Sequence, residues 1–214
     1  MYVLPMATSK DEILKKVRKA TAQAVPIPYP DEENYIEYFT KTGMEKEIEF
    51  AQNFISIQGR FSFCENKDEL KSQLQTLIKA RNWDKIFCAE QNILLLLEDT
   101  LPGALLTDSL IDCQASITSC EALVARTGSI VLSSAQAQGR TASVYAPAHI
   151  SIATTTQVLY DTSDALTFLM KKNGGTLPSS VSFAAGPSRT ADIEKTLVTG
   201  VHGPKEVFCF LMQE

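Results

Sequence analysis

The chain has 214 residues and carries 20 Lys+Arg against 25 Asp+Glu, a formal net charge of −5, with 44% hydrophobic residues. That composition belongs to a globular protein rather than a disordered one, and a surface of that sign repels phosphate backbones, which argues against a nucleic-acid partner. The apolar run Ile93–Leu97 falls far short of the ~20 residues that a membrane-spanning helix needs, so no membrane span is expected.

In chain order, Ser9 and Glu12 form a capping box ahead of Ile13, Val17, Ala20 and Ala24, which recur at helical spacing. Pro5 precedes any apolar core of a signal peptide, and Pro26-Ile27-Pro28-Tyr29-Pro30 ends the first helix. A second helical stretch, Asp31 to Phe54 with a break near Gly43, completes an expected N-terminal helical extension over residues 1–58. From residue 59 to 214 short apolar runs alternate with helical periodicity. Strands are predicted at Phe61–Cys64, Lys85–Cys88, Ser129–Leu132, His149–Ala153, Gln157–Leu159, Val181–Ala184 and Val207–Met212. Helices are predicted around Leu70–Ile78, at Asp161–Lys171 and at Thr190–Val198. The pattern is that of an α/β fold with a mostly parallel sheet flanked by helices.

Five scattered cysteines suit reduced thiols and a cytoplasmic setting. No Cys-x-x-Cys occurs and there are only two histidines, so neither a metal site nor an iron–sulfur cluster is expected on this chain. No P-loop, nucleophile elbow or dinucleotide fingerprint is present, and no cofactor is expected.

Candidate ligand-binding residues sit at four junctions. Gly186-Pro187-Ser188-Arg189-Thr190 follows a strand and opens a predicted helix whose free N–H groups, with the Arg189 guanidinium, suit an anion. Such a loop is expected beyond the carboxyl ends of the strands. Equally, it reads as a plain strand–turn–helix junction with good caps. Thr127-Gly128-Ser129 offers two hydroxyls and a flexible backbone, or a simple turn. Arg140, beside Gly139, can grip a carboxylate with two prongs. His202-Gly203, before Pro204, makes a tight connection whatever else it does. Glu121, His149 and Asp192 are the candidate acid–base groups. The bland alternatives are a helix-surface Glu121, a structural His149, and an Asp192 that only stabilises a helix dipole.

Taken together, Glu121-Ala-Leu-Val-Ala-Arg-Thr-Gly-Ser129, Arg140, Pro147-Ala-His-Ile150, Gly186-Pro-Ser-Arg-Thr-Ala-Asp-Ile-Glu194 and Gly200-Val-His-Gly-Pro204 resemble the LUD-domain family. The resemblance runs from about Cys113 to Phe210 and is most specific in its last thirty residues; the first sixty carry no matching motif. It implies a NagB/RpiA/CoA-transferase-like α/β domain over residues 59–214. It also implies a bacterial cytoplasmic protein that works with two partner proteins, at least one iron–sulfur, in oxidation of L-lactate to pyruvate. Relatives by fold include 5-formyltetrahydrofolate cyclo-ligase, sugar-phosphate isomerases and CoA transferases, all of which bind anions. Fold analogy alone does not set function.

The resemblance favours one shared pocket in which Thr127–Ser129 and Gly186–Thr190 face each other, lined by Arg140 and His149, with Glu121 and Asp192 as acid–base or orienting groups. Three functions follow in order of preference. The first is a component of a lactate-oxidising system that binds a small anionic ligand. The second is a stand-alone transferase or ligase acting on a phosphate, CoA or folate-type substrate. The third is a docking protein whose helical arm recruits partners.

Overall fold

The computed structural model describes residues 9–22, 41–137, 139–190 and 198–214. The chain divides into two units, residues 1–42 and 43–214. The first contains helix α1, Ser9–Thr21, which begins at the capping-box serine and leaves Ile13 and Val17 more than half exposed. Ala24 and the predicted helical residues 31–40 lie outside the described residues.

The second unit runs α2 (Lys46–Ser56), β1 (Arg60–Cys64), α3 (Lys67–Arg81), β2 (Ile86–Phe87), α4 (Gln91–Leu96), β3 (Ala115–Ser119), β4 (Ala122–Val124) and β5 (Ser129–Ser133). It continues through α5 (Ala142–Tyr145), β6 (Ala148–Thr154), β7 (Val158–Leu159), α6 (Thr162–Lys172), β8 (Val181–Ala184), β9 (Arg189–Thr190), β10 (Val198–Thr199) and β11 (Glu206–Met212). The helix α2, expected in the extension, is part of this unit because Phe50 and Phe54 are fully buried in its core. No described helix is long and apolar enough to cross a membrane.

The fold is mixed α/β. Its central sheet, in the order β1-β11-β6-β3-β2, is parallel throughout. A second sheet, β7-β4-β5-β8, is mixed: β5 is antiparallel to β4 and β8, and β4 is parallel to β7. Alternation along the strands sorts the core into layers. Ala148, Ile150 and Ile152 of β6, with Phe208, Phe210 and Met212 of β11, face Leu70, Leu74 and Ile78 of α3. Val207, Cys209 and Leu211 face the other way, onto Leu123, Ile130 and Leu132 of the second sheet and onto Phe50 and Phe54 of α2. Beyond the second sheet, Ala122, Val124 and Val131 pack on Ala165 and Leu169 of α6.

Local chemistry sets the ends of the helices. Asn66 caps α3 by accepting the Glu69 N–H at 2.9 Å, and Asn82 ends it in the left-handed region. Asp161 and Asp164 form a capping box on α6.

Two features differ from the sequence-based expectation. The strands β3 and β4 fall within residues 111–124, where no strand was predicted. Both are buried and short: β3 carries Ser and Thr at positions enclosed on both faces, and β4 is a three-residue Ala-Leu-Val run with no turn residue of its own to mark it. The predicted helix Thr190–Val198 is bounded by strands instead: β9 and β10 pair antiparallel, Thr190 with Val198 and Arg189 with Thr199. Residues 191–197, including Asp192, lie outside the described residues.

Candidate functional site

The Thr-Gly-Ser segment is the tip of the β4–β5 hairpin, with Gly128 left-handed at φ +61. Its close neighbour is the end of α2. A Cβ on Gly128 would lie 2.5 Å from the Phe54 nitrogen, so only hydrogen fits there. Asn53 donates its side-chain amide to the carbonyls of Ala125, at 2.8 Å, and Arg126, at 3.2 Å. The Thr127 hydroxyl is buried and has no hydrogen-bond partner among the described residues.

Gly186-Pro187-Ser188-Arg189-Thr190 reaches the same end of α2. A Cβ on Gly186 would lie 2.4 Å from the Ile57 carbonyl oxygen, and Arg189 donates to that oxygen at 3.0 Å. Ser188 N–H donates to Pro204 O and Gly200 N–H to Ser188 O, each at 2.9 Å. Gly203 packs on Ser188, while His202 is exposed. The two segments thus meet at the end of α2, with Gly200–Pro204 completing the cluster. Lys205 N–H donates to Pro147 O at 2.8 Å, just ahead of β6, so this cluster marks the amino edge of the central sheet. The expectation of a carboxyl-edge helix start is corrected here. The segment follows β8, which belongs to the second sheet, and its antiparallel pairing with β5 carries the chain to the opposite edge.

Beside the hairpin tip, Arg126 grips Asp161 through two nitrogens at 2.8 and 2.9 Å. The hydrogen bonds from Arg126 hold the Asp161 carboxyl well below the usual carboxylate range. A group depressed in the folded state contributes stability above its unfolded pKa of about 4 and loses it as pH falls below that value. Asp161→Asn, which keeps an N-cap, is therefore expected to cost about 1 kcal/mol at pH 7. In urea melts at pH 7 and pH 3 the gap between wild type and variant should shrink at the lower pH; an unchanged gap would show that the ion pair does not supply it.

A different polar cluster occupies the other end of β5. Glu121 joins β3 to β4 and is 3% exposed, not on a helix surface. Its carboxylate accepts the Ser133 hydroxyl at 2.5 Å and the Lys172 ammonium at 2.6 Å. Ser133 N–H donates to Gln136 Oε1 at 3.0 Å, and Gln136 Nε2 donates to the Ser119 hydroxyl at 3.0 Å. Ser119 in turn donates its N–H, at 2.8 Å, and its hydroxyl to Glu90, which is 5% exposed. Two buried carboxylates are therefore linked by a Ser–Gln–Ser bridge at the carboxyl end of β3. Arg140 lies alongside: it donates to the Ser179 hydroxyl at 2.7 Å, and Ser179 pairs with Ser134 at 2.9 Å.

Sequence-predicted residues are thus divided between two places. Thr127, Gly128, Ser129, Gly186–Thr190, His202 and Gly203 belong to the first cluster; Glu121 and Arg140 belong to the second. The five residues of β5 separate the two by about 13 Å at ~3.3 Å per residue. His149 lies in neither: it is fully buried on the inner face of β6, with Nε2 2.8 Å from Thr118 Oγ1 and, among the described residues, no partner at Nδ1. Burial holds the imidazole neutral down to about pH 4.

Glu90, Ser119, Ser133, Gln136 and Lys172 escaped the sequence reading. They come from four separate elements, so no spacing announces them. The one available signal is Glu90, a carboxylate directly ahead of the apolar helix α4. All five cysteines are free, and burial pushes the thiols up, to about 11 for Cys64 and Cys88 and about 12 for Cys120. Those thiols are protonated at neutral pH and are poor nucleophiles. In the second cluster, exposed Arg140 and half-exposed Lys172 can hold a ligand carboxylate or phosphate. Glu121, bonded to Lys172, can accept a hydrogen bond from a ligand hydroxyl and so orient it.

Residues 48–212 match the LUD domain family. A Bacillus subtilis (strain 168) protein named Lactate utilization protein C is 34% identical over 100 residues, which cover 46% of this chain and 42% of that protein. The Halalkalibacterium halodurans protein of the same name is 33% identical over 118 residues, 54% of this chain and 51% of its own. The matches thus span about half the length of these curated relatives or less. An uncharacterized protein of Neisseria meningitidis serogroup B is 26% identical across 94% of this chain and 91% of its own. Among solved structures, a DUF162 family protein from Deinococcus radiodurans superposes with a TM-score of 0.57 at 16% identity, covering 79% of this chain and 99% of that one. At that identity the likeness concerns the fold.

Proposed function

The chain belongs to the LUD domain family, and from that premise we propose that it is a component of a bacterial L-lactate utilization system. In this reading it works in the cytoplasm with iron–sulfur partner proteins and binds a small anionic ligand. The observation that carries the reading is the 34% identity to a protein named Lactate utilization protein C. The cluster at the carboxyl end of β3 supports the ligand class. A 2-hydroxy acid presents its carboxylate to the Arg140 guanidinium and the Lys172 ammonium, and donates its hydroxyl to the Glu121 carboxylate. Oxidation of L-lactate to pyruvate releases two electrons and two protons. The iron–sulfur partners take the electrons, while this chain positions the acid.

Reconstituted lactate oxidation tests the proposal. Turnover should fall at least about tenfold when Arg140→Ala and Lys172→Ala are combined, the loss expected from about 1.4 kcal/mol of binding. Partners that turn over lactate equally well without this chain would refute it. Melting against lactate, pyruvate, phosphate and CoA gives a direct readout. A ligand at ~100 times its Kd stabilises by about 2.7 kcal/mol, a shift of about 5–11 °C, which the double variant should lose.

A second reading, a stand-alone transferase or ligase, is favoured by one feature. Glu121 is a buried carboxylate held by an ammonium at a sheet edge, an arrangement suited to group transfer. Glu121→Gln that binds phosphate or CoA but no longer turns it over would support this reading.

A further inference from the structure

Strand β1 is the outer edge of the central sheet, and among the described residues nothing pairs with its open side. The Cys64 carbonyl turns inward to accept Gln213 N–H at 2.9 Å, so the alternate peptide groups at Phe61 and Phe63 turn outward. Of these, among the described residues, the Phe63 carbonyl alone is reached, by Gln73 Nε2 at 3.3 Å. Free edges are normally blunted by proline, charge, a bulge or a cover. From Phe61 to Cys64 there is no proline and no charge, and the register with β11 is unbroken.

Grooves flank this strand on both faces. One, of about 610 Å³, is floored by Phe61, Phe63, Ile48 and Ile55, of which Phe63 is 41% and Ile55 57% exposed. The other, of about 490 Å³, lies between β1 and α3. The charges along the edge are polar. At its amino end Arg60, whose side chain is 57% exposed, and Arg81 share the one carboxylate of Glu206, and Arg189 lies nearby, so cations outnumber acids there. At its carboxyl end Glu45, Glu47, Glu65, Asp68 and Glu214 outnumber Lys46 and Lys67.

We propose that this edge joins two copies of the chain, their β1 strands pairing antiparallel about a two-fold axis centred on Ser62. The central sheets then form one ten-stranded sheet. An occupant of this edge must present a strand that is acidic at one end and basic at the other, and β1 with its flanks is such a strand. Antiparallel pairing sets Phe61 opposite Phe63 of the second copy, each ring closing part of the other copy's groove. It sets Arg60 beside Glu65 and Asp68 of the second copy, opposite charge on opposite charge. A surface that complements itself under a two-fold gives a closed dimer rather than a filament.

Light scattering on the full chain over roughly 1–100 μM should report a dimer. Phe63→Glu, with the circular dichroism and melting of a folded chain, should be monomeric. Arg60→Glu, at an exposed position, should raise the dimer Kd at least about tenfold, and adding Glu65→Arg and Asp68→Arg should bring it back toward wild type. Ser62→Cys should cross-link two copies under mild oxidation, because facing residues of such a pair fall within disulfide reach. A chain that is monomeric throughout overturns the proposal. So does a dimer that survives both Phe63→Glu and Arg60→Glu, or one in which Ser62→Cys fails to cross-link.

Discussion

Gly128→Ala is expected to lower the melting temperature by about 6–12 °C, the shift that about 3 kcal/mol produces in a chain of this size. Two costs add at this position. The residue sits at φ +61, a region where an L side chain costs about 1–2 kcal/mol. The new methyl would also lie 2.5 Å from Phe54 N, 2.6 Å from the Asn53 carbonyl carbon and 2.9 Å from Phe54 Cα. Those are backbone atoms of α2 and cannot swing aside. Relief requires α2 to slide, which disturbs the stacked, fully buried pair Phe50 and Phe54. Gly139→Ala is the control: its φ is +64, but beyond its chain neighbours no described atom lies within 4 Å of the added carbon. It should cost only the backbone share, about 1–2 kcal/mol. Equal losses in the two variants would mean that α2 does not press on the hairpin tip.

His149 is expected to make the protein lose about 3 kcal/mol of stability as pH falls from about 6.5 to about 4. The direction follows from proton counting. Below about 6.5 the unfolded chain binds a proton on this imidazole, whereas the folded chain keeps it neutral until about pH 4. Stability therefore rises with pH across that window and is flat, for this group, on either side. The cause is burial: the ring is fully enclosed, and among the described residues its one hydrogen-bond partner is Thr118 at 2.8 Å. Carboxylates titrate in the same range, so the measurement is the difference between wild type and His149→Gln, in urea melts from pH 4 to pH 7.5. A difference independent of pH would refute the assignment. The same burial removes His149 from the ligand-facing role that its place ahead of a strand suggested.

Several elements were legible because their signals are local. The helix beginning at Ser9, the helical spacing of Leu70 to Ile78 in α3, the Asp161 start of α6 and the apolar runs at β6, β8 and β11 each depend on residues within a few turns or one strand. Local readings failed where a partner decides. The Ser188–Thr190 hydroxyls suggested a helix start, yet Thr190 pairs with Val198 and Ser188 is held by Pro204 and Gly200. The gathering of Gly186–Thr190 with Gly200–Pro204 was within reach of sequence, since both belong to one specific stretch. Which sheet edge they occupy was not.

The α/β class, the mostly parallel central sheet and the family can be read along the chain, because hydrophobic period, turn residues and a specific terminal motif are written in consecutive residues. It takes the folded chain to bring Glu121 to Lys172 and Glu90 to Ser119, and to set Arg140 on their side of β5 rather than beside the Thr-Gly-Ser tip. These contacts join residues 29 to 51 positions apart. Their proximity depends on the direction in which β5 pairs with β4 and β8, a choice made by burying two sheet faces and α2 at once.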